Sequence, residues 1–433
     1  MLRNAVRYWR ENGTLEFAKK TIDTLIAQRQ PGAAHAPISI APISSELLMQ
    51  RRFVGATSLR AIPTVRLKPR LSVITDTINS SSLYGGVGTS LILAGLLCEK
   101  TGCDLRLITR YNQPDQENFR KMMQLAGINI PGLIEFTYAD HYQEQTPIDV
   151  ATNDLFLTTS WWTTYFARHA IPTTQLIYLL QEDERMFYAH DDDRLRCSEV
   201  LNDKNITFVI NSQLLYQHFV AEGLTSIAQN GHWFEPSFPR SLFFKEEKPA
   251  YAQTPLRFFF YARPNHHRNL FHRGIEVLQQ AITDGVFADK PWQLHFVGKD
   301  IPRVKLANQL EPIYCEGLSW AEYAALIRTM DLGFSLMYTP HPSYPPLDLA
   351  AAGAVVVTNR YGNKQNLDNY CKNILCSEIS VPALVATLRQ GVALAQDMPT
   401  RLANYQNSGL LRDWRQSFAQ ILQTLEARLL PSP

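Results

Sequence analysis

Short apolar runs separated by helix-length stretches constrain this chain more than any other feature. From about Leu71, "LSVIT", "DLRLIT", "DLFLTT", "QLIYLL" and "ITFVI" alternate with helical patterns at Val87–Lys100, Gln116–Leu125 and Ser212–Ala221. Near-continuous apolar strands alternating with helices imply parallel sheets covered on both faces. The alternation breaks at "NGHWFEPSFPRSLFFKEEKPAYAQTP" and then restarts. "LRFFFYA", a helix near Asn269–Ala281, "QLHFVG", a helix at Trp320–Met330 and "DLGFSLM" follow, then a helix after Pro346, "AVVVTN", "NILC" and a helix near Val381–Ala395. The pattern predicts an α/β protein of two doubly wound domains, hinged around residues 231–254. Ligands are expected at the strand C-termini, in the cleft between the domains.

The expected divisions are a helix and linker over 1–66, a first Rossmann-like domain over 67–247 and a second over 248–405. One amphipathic helix, "LRDWRQSFAQILQTLEARLL", occupies the final part, 406–433, and is expected to return to the first domain. At 433 residues the chain exceeds one ordinary core, which agrees with this division. A net charge of +2 gives no global pull toward nucleic acid. The six cysteines are scattered and form no C-x-x-C pair, which reads as reduced thiols of a cytosolic protein. No apolar run approaches a membrane span, and the first twenty residues do not resemble a secretory signal. Residues 1–30 have helical spacing and carry six Lys or Arg against three acids. Such a segment either packs on the first domain or makes a weak peripheral contact with the anionic inner face of a membrane.

Four motifs could carry chemistry. In "ITDTINSSSLYGGVGTSLILAGLL", Gly85, Gly86 and Gly88 would let backbone N–H groups approach an anion at a helix N-terminus. A tight turn without a ligand is the plain alternative. No acid follows the next strand, so a dinucleotide-binding dehydrogenase is discounted. In "FFFYARPNHHRNLFHR", a buried strand delivers Arg263 to its C-terminal end, with His267 and Arg268 in the following loop. "LHFVGKD" delivers Lys299 to the end of the next strand. Cations at two adjacent strand ends suit a diphosphate, although either could belong to a solvated loop. In "HPSYPPLDLAAAGAVVVTN", Pro345 and Pro346 suit a helix's first turn. The N–H groups of Leu347 and Asp348 would then be free, and the Asp348 carboxylate could accept bonds from a ribose diol. An ordinary proline-stiffened helix start is the alternative.

On "YARPNHHRN", "VGK", "GLSWAEYAALI" and "HPSYPPLDLAAAG", in that order, the second domain resembles that of retaining GT-B glycosyltransferases of family 4. The whole of residues 1–425 is most similar to WsaF-type bacterial rhamnosyltransferases. The resemblance implies that Arg263 and Lys299, aided by Arg268, hold the donor diphosphate. It implies donor contacts from Gly317, Leu318 and the stretch His341, Ser343, Tyr344, Pro345, Pro346, Leu347 and Asp348. The first glutamate of the family's E-x7-E signature is replaced by Pro340, so His341 or Ser343 would take its place. The second is Asp348, one methylene shorter, and His267 stands where a lysine is common.

Other candidates face the acceptor. Trp161 or Trp162 of "SWWTTYF" could stack on a sugar, or pack in the core. Gln181 and Asp183 of "LLQEDER" could meet acceptor hydroxyls, or form a surface cluster. "DDD" at 191–193 reads as a solvated loop rather than a metal site, so neither a metal nor another cofactor is expected. The resulting expectation is a cytoplasmic glycosyltransferase that moves a sugar, L-rhamnose from dTDP being favoured, onto a surface glycan acceptor that could be lipid-linked. A nucleotide-sugar epimerase and a non-catalytic sugar-nucleotide or glycan-binding module are the alternatives.

Overall fold

The computed structural model describes residues 42–53, 59–79, 86–140, 147–246, 255–289 and 291–430. Of the helix and linker expected over residues 1–66, residues 1–41 and 54–58 lie outside them, and the rest holds the helix Ser45–Arg52 and the short strand Ala61–Pro63. The chain divides into two compact units at Arg52. In the small first unit the helix Ser45–Arg52 is described. The large second unit, Phe53–Pro433, holds both large sheets.

Its strands are β1 (Ala61–Pro63), β2 (Arg70–Thr75), β3 (Asp104–Thr109), β4 (Ile134–Tyr138), β5 (Ile148–Val150), β6 (Asp154–Thr158), β7 (Leu176–Leu180), β8 (Thr207–Asn211), β9 (Gly231–Phe234), β10 (Leu256–Ala262), β11 (Trp292–Gly298), β12 (Ile313–Glu316), β13 (Leu332–Phe334), β14 (Val355–Asn359) and β15 (Ile374–Ser377). Seven form one parallel sheet in the order β4-β3-β2-β6-β7-β8-β9, and six form another in the order β12-β11-β10-β13-β14-β15. β1 and β5 pair apart. Strands β2, β3, β6 and β7 are buried along their whole length. Burial on both faces is why they read as unbroken apolar runs.

The helix Gly86–Thr101 is buried at every residue from Gly88 to Cys98. One side lies on the first sheet. Ile421, Leu422, Leu425 and Leu429 of the helix Ala419–Leu429 join the same apolar cluster, so the chain's last helix covers the first domain. The single C-terminal helix expected from sequence is two, Trp414–Ser417 and Ala419–Leu429. The break falls at fully buried Phe418, whose ring packs between Phe234 and Trp414.

The crossover between the domains also differs from expectation. Residues 231–234 are not hinge but the edge strand β9 of the first sheet. Residues 235–246 then run against the second domain, where Phe238 and Phe243 pack with Leu347, Ala350 and Ala351. The Phe238 N–H donates to the carbonyl of Leu411, 2.8 Å away, which ties the outgoing and returning crossings together. No helix among the described residues is long and apolar enough to cross a membrane.

Candidate active site

The second sheet builds a cationic edge. Strands β10 and β11 pair in parallel with Ala262 opposite Gly298, so the next residues, Arg263 and Lys299, leave the sheet side by side. Gly298 is required there, because a Cβ would lie 1.8 Å from the Ala262 carbonyl oxygen. Arg263 is half-buried. Its guanidinium donates to the Tyr261 hydroxyl at 3.3 Å and to His266 Nε2 at 2.7 Å. Burial and the neighbouring Arg263 and Arg268 push the His266 ring down to about 4, so it is neutral and can accept that bond. Lys299 is exposed. Among the described residues neither cation has a carboxylate partner. His267 is exposed in the same loop, and the Arg268 guanidinium lies 4.1 Å from the centre of the Phe187 ring of the first domain.

The proline-rich stretch folds differently from its expected form. The helix begins at Tyr344, and Pro345 and Pro346 are its second and third residues. An α-helix starting there pairs the Leu347 and Asp348 N–H groups with the carbonyls of Ser343 and Tyr344. These two N–H groups are therefore not free for an anion, and Asp348 is past the first turn rather than in it. The prolines have no N–H, so the usual anion-binding donors of a helix N-terminus are largely missing. Asp348 is buried and accepts a bond from the Tyr323 hydroxyl at 3.2 Å. Ser343, just before the helix, has φ 73° and ψ 144° and gives no side-chain cap. Ser212 has φ 83° and ψ 146°. That backbone region is almost reserved for glycine, and strain of this kind collects at functional sites.

The loop between β13 and this helix is locked from behind. Lys364 is fully buried, and its Nζ donates to the carbonyls of Met337 and His341 at 2.8 and 3.2 Å. Burial pushes its ammonium down to about 8, with Glu182 acting against the fall. His341 is buried, its Nδ1 accepts the Ser343 N–H at 3.0 Å, and burial holds its pKa at about 3. Gly317 is exposed with φ 67°, and half-buried Leu318 packs on the neighbouring apolar cluster.

In the first domain, Gly85 lies outside the described residues. Gly86 opens its helix, and a Cβ there would come 3.1 Å from Gln181 Cγ. Gly88 is buried within the helix. Trp161 is a core residue and no sugar platform: it is buried, its Nε1 donates to the Tyr188 hydroxyl, and its ring packs edge-on against Trp162, Tyr165 and Tyr188. Trp162 is half-buried and donates from Nε1 to both carboxylate oxygens of Asp76, at 3.1 and 3.0 Å. Burial raises Asp76 to about 6, against that bond and the nearby Arg110. Asp183 is not open to an acceptor, since its carboxylate is held by Arg185 and His218. Burial opposes its ionisation, but those two partners outweigh it and hold the carboxyl below the usual range. Asp191 caps the helix Asp192–Leu201, so "DDD" is a helix start rather than a solvated loop. Among the described residues no group of three His, Cys, Asp or Glu is placed to hold a metal.

Contacts among the described residues join the domains across the cleft, those of Thr339, Tyr344 and Arg268 among them. Thr339 Oγ1 donates to Glu182 Oε2 at 2.9 Å. The Tyr344 hydroxyl lies 2.8 Å from Thr89 Oγ1 and 2.9 Å from Asn211 Nδ2. Arg268 covers Phe187. Asn211 and Lys364 carry no motif, and His266 lies within "YARPNHHRN" without being one of the cations that motif offers. Asn211 and Lys364 follow strand ends in their domains, and that position was the available signal.

Residues 70–213 match the model of the WsaF N-terminal domain, and residues 256–389 that of the WsaF C-terminal domain. The O-antigen biosynthesis protein RfbC of Myxococcus xanthus is 28% identical over 340 residues, 77% of this chain. The match covers 25% of RfbC, so the chain spans about a quarter of that curated relative's length. WaaG, a glycosyltransferase involved in lipopolysaccharide biosynthesis, superposes with a TM-score of 0.56 at 12% identity over 84% of this chain and 100% of its own. HepE of Anabaena in complex with UDP-glucose gives 0.56 at 13% identity, over 83% and 99%. Sucrose-phosphate synthase from Thermosynechococcus elongatus gives 0.53 at 12%, over 83% and 98%. At such identities the structural likeness carries the fold alone. Two parallel-sheet domains whose strand C-termini face one cleft, with cations at the edge of the second, define the GT-B glycosyltransferase class. Within that class, the chain belongs to the WsaF family.

Proposed function

We propose that the chain transfers a sugar from a nucleotide-sugar donor to a glycan acceptor during surface-polysaccharide synthesis, with dTDP-L-rhamnose as donor and with retention of anomeric configuration. The observation that carries this reading is the pair Arg263 and Lys299, side by side and without carboxylate partners among the described residues. They suit a diphosphate whose negative charge grows as the glycosidic bond breaks, and Arg268 adds a third positive charge from the same loop. The acceptor hydroxyl attacks from the leaving-group face, and the departing phosphate takes its proton, so no side-chain base is assigned. The involvement of RfbC in O-antigen biosynthesis and of WaaG in lipopolysaccharide biosynthesis supports a polysaccharide pathway, and the UDP-glucose complex of HepE supports a nucleotide-sugar donor. The reaction is assigned to the cytoplasm, with an acceptor carried on a lipid.

The test is chromatographic assay of dTDP release from dTDP-L-rhamnose, with and without a rhamnan oligosaccharide, and NMR of the product. Acceptor-dependent release and a retained linkage are expected. An altered free sugar nucleotide without acceptor would instead identify an epimerase. Binding without turnover in either arm would identify a non-catalytic module.

A further inference from the structure

Four buried polar atoms around Tyr344 lack partners. The Tyr344 hydroxyl is engaged by Thr89 and by Asn211 Nδ2, and it lies 3.5 Å from Gln181 Oε1. Asn211 Nδ2 also donates to Gln181 Oε1 at 2.7 Å. These bonds use one end of each amide. The other ends, Gln181 Nε2 and Asn211 Oδ1, are buried and unpaired. From the second domain, Ser343 Oγ and His341 Nε2 are buried and unpaired too. Asn211, Ser343 and His341 are 0%, 1% and 3% exposed, so bulk water does not satisfy them. The His341 ring centre lies 6.0 Å from that of Tyr344, and Ser343 precedes Tyr344 in the chain.

Native proteins leave few buried polar groups unpaired, and four around one side chain call for a partner the chain does not supply. The chemistry of the set defines that partner. Gln181 Nε2 donates. His341 donates from Nε2, because its Nδ1 already accepts from Ser343. Asn211 Oδ1 accepts, and Ser343 Oγ does either. None of the four carries a charge. Lys364, on the loop after β14, directs its Nζ to the carbonyls of Met337 and His341. Asn211 Oδ1 would set a lone pair against a phosphate or carboxylate oxygen, and an apolar ligand would leave all four groups unpaired. Alternating neutral donors and acceptors match the hydroxyl groups of a sugar ring.

We propose that Gln181 and Asn211 of the first domain, with His341 and Ser343 of the second, form one seat for the hydroxyl groups of the sugar carried by the nucleotide donor. The proposal rests on the nucleotide-sugar reading above. It assigns sugar selectivity to both domains, so the seat is complete only when the cleft is closed. Arg263 and Lys299 then read the diphosphate, and the seat reads what the diphosphate carries.

Calorimetric titration separates the two. The probes are dTDP against dTDP-L-rhamnose, and UDP against UDP-glucose, using whichever pair the wild-type protein binds. The variants are Ser343→Ala and Gln181→Met. Ser343→Ala removes a hydroxyl with no partner in the fold, so its thermal midpoint should stay within a degree or so of wild type. The wild type should bind the sugar nucleotide more tightly than its nucleoside diphosphate. Each variant should lose about tenfold of that advantage while keeping the nucleoside diphosphate affinity. If both variants keep the full advantage, or the wild type has none, the seat is overturned while the nucleotide site stands. If neither pair binds, the nucleotide-sugar reading fails, and the seat fails with it.

Discussion

The Tyr323 hydroxyl donates to Asp348 Oδ2 at 3.2 Å, joining two helices of the second domain around a carboxyl that is 7% exposed. Burial pushes this carboxyl up to about 8, and the Tyr323 bond only partly offsets the rise. A ribose diol would donate to the ionised form. Below pH 8 the free protein must therefore lose a proton to make those bonds. Donor affinity should rise with pH from 6 to about 8, by up to about tenfold per unit, and then level off. Asp348→Asn should lose the pH dependence, and calorimetry at four pH values compares them. Parallel profiles would show that Asp348 does not touch the donor.

The same carboxyl governs a stability difference. Its folded pKa of about 8 is above the ordinary 3.8, so the fold favours the protonated form. The stability this contributes is present below pH 3.8 and is lost as pH rises through 8. Asp348→Asn removes that loss. The thermal midpoint of the variant should match wild type near pH 4, exceed it increasingly up to about pH 8, and hold that lead beyond. A constant offset across the range would show that the carboxyl does not titrate as described.

Arg263→Ala and Lys299→Ala should each cut turnover about ten- to a hundredfold, from the loss of a charge-assisted contact of roughly 1.5–3 kcal/mol. Both side chains stand at the cleft edge without carboxylate partners among the described residues, so the circular dichroism melts should stay close to wild type. Wild-type turnover in both variants would remove the diphosphate assignment.

The sheets were legible in the sequence because burial on both faces turns parallel strands into unbroken apolar runs. β4 escaped because "IEFTY" is half-buried throughout, and its mixed pattern resembles a loop. The cationic pair was legible because strand C-termini are fixed by the fold. The helix start at Tyr344 was not, since proline fits any of the first three positions, and a shift of one or two residues changes which N–H groups are free. Trp161 and Asp183 show a second limit. An aromatic or an acid near a strand end looks the same in sequence whether it faces the cleft or, like Asp183, meets a histidine 35 residues away. Asn211 and Lys364 offered nothing beyond their place near a strand end, because their roles come from partners in the facing domain or loop.

Turnover should persist in EDTA, within about twofold. The Asp191 carboxylate accepts the Arg194 N–H at 3.0 Å and starts a helix, which leaves it poorly disposed to ligate a cation. Loss of activity in EDTA, restored by Mn²⁺, would return "DDD" to consideration as a metal site.

The Thr339–Glu182 bond is the place to test closure. Glu182 leaves the first sheet after β7, and Thr339 leaves the second after β13. Both are buried, and the bond between them is 2.9 Å long. Burial raises the Glu182 carboxyl above its usual range, while Arg268 and the Thr339 hydroxyl act against the rise. Thr339→Val keeps the shape and removes the donor. In the closed form Glu182 Oε2 then loses its partner, at a cost of roughly 1–3 kcal/mol. Opening the cleft returns the carboxylate to water and relieves that cost, so the penalty falls on closure rather than on either domain's fold. The variant should have a larger radius of gyration by small-angle scattering and a thermal midpoint near wild type. Its kcat/KM should fall about ten- to a hundredfold, since catalysis requires the closed arrangement. An unchanged scattering profile with full activity would show that this bond does not hold the domains together.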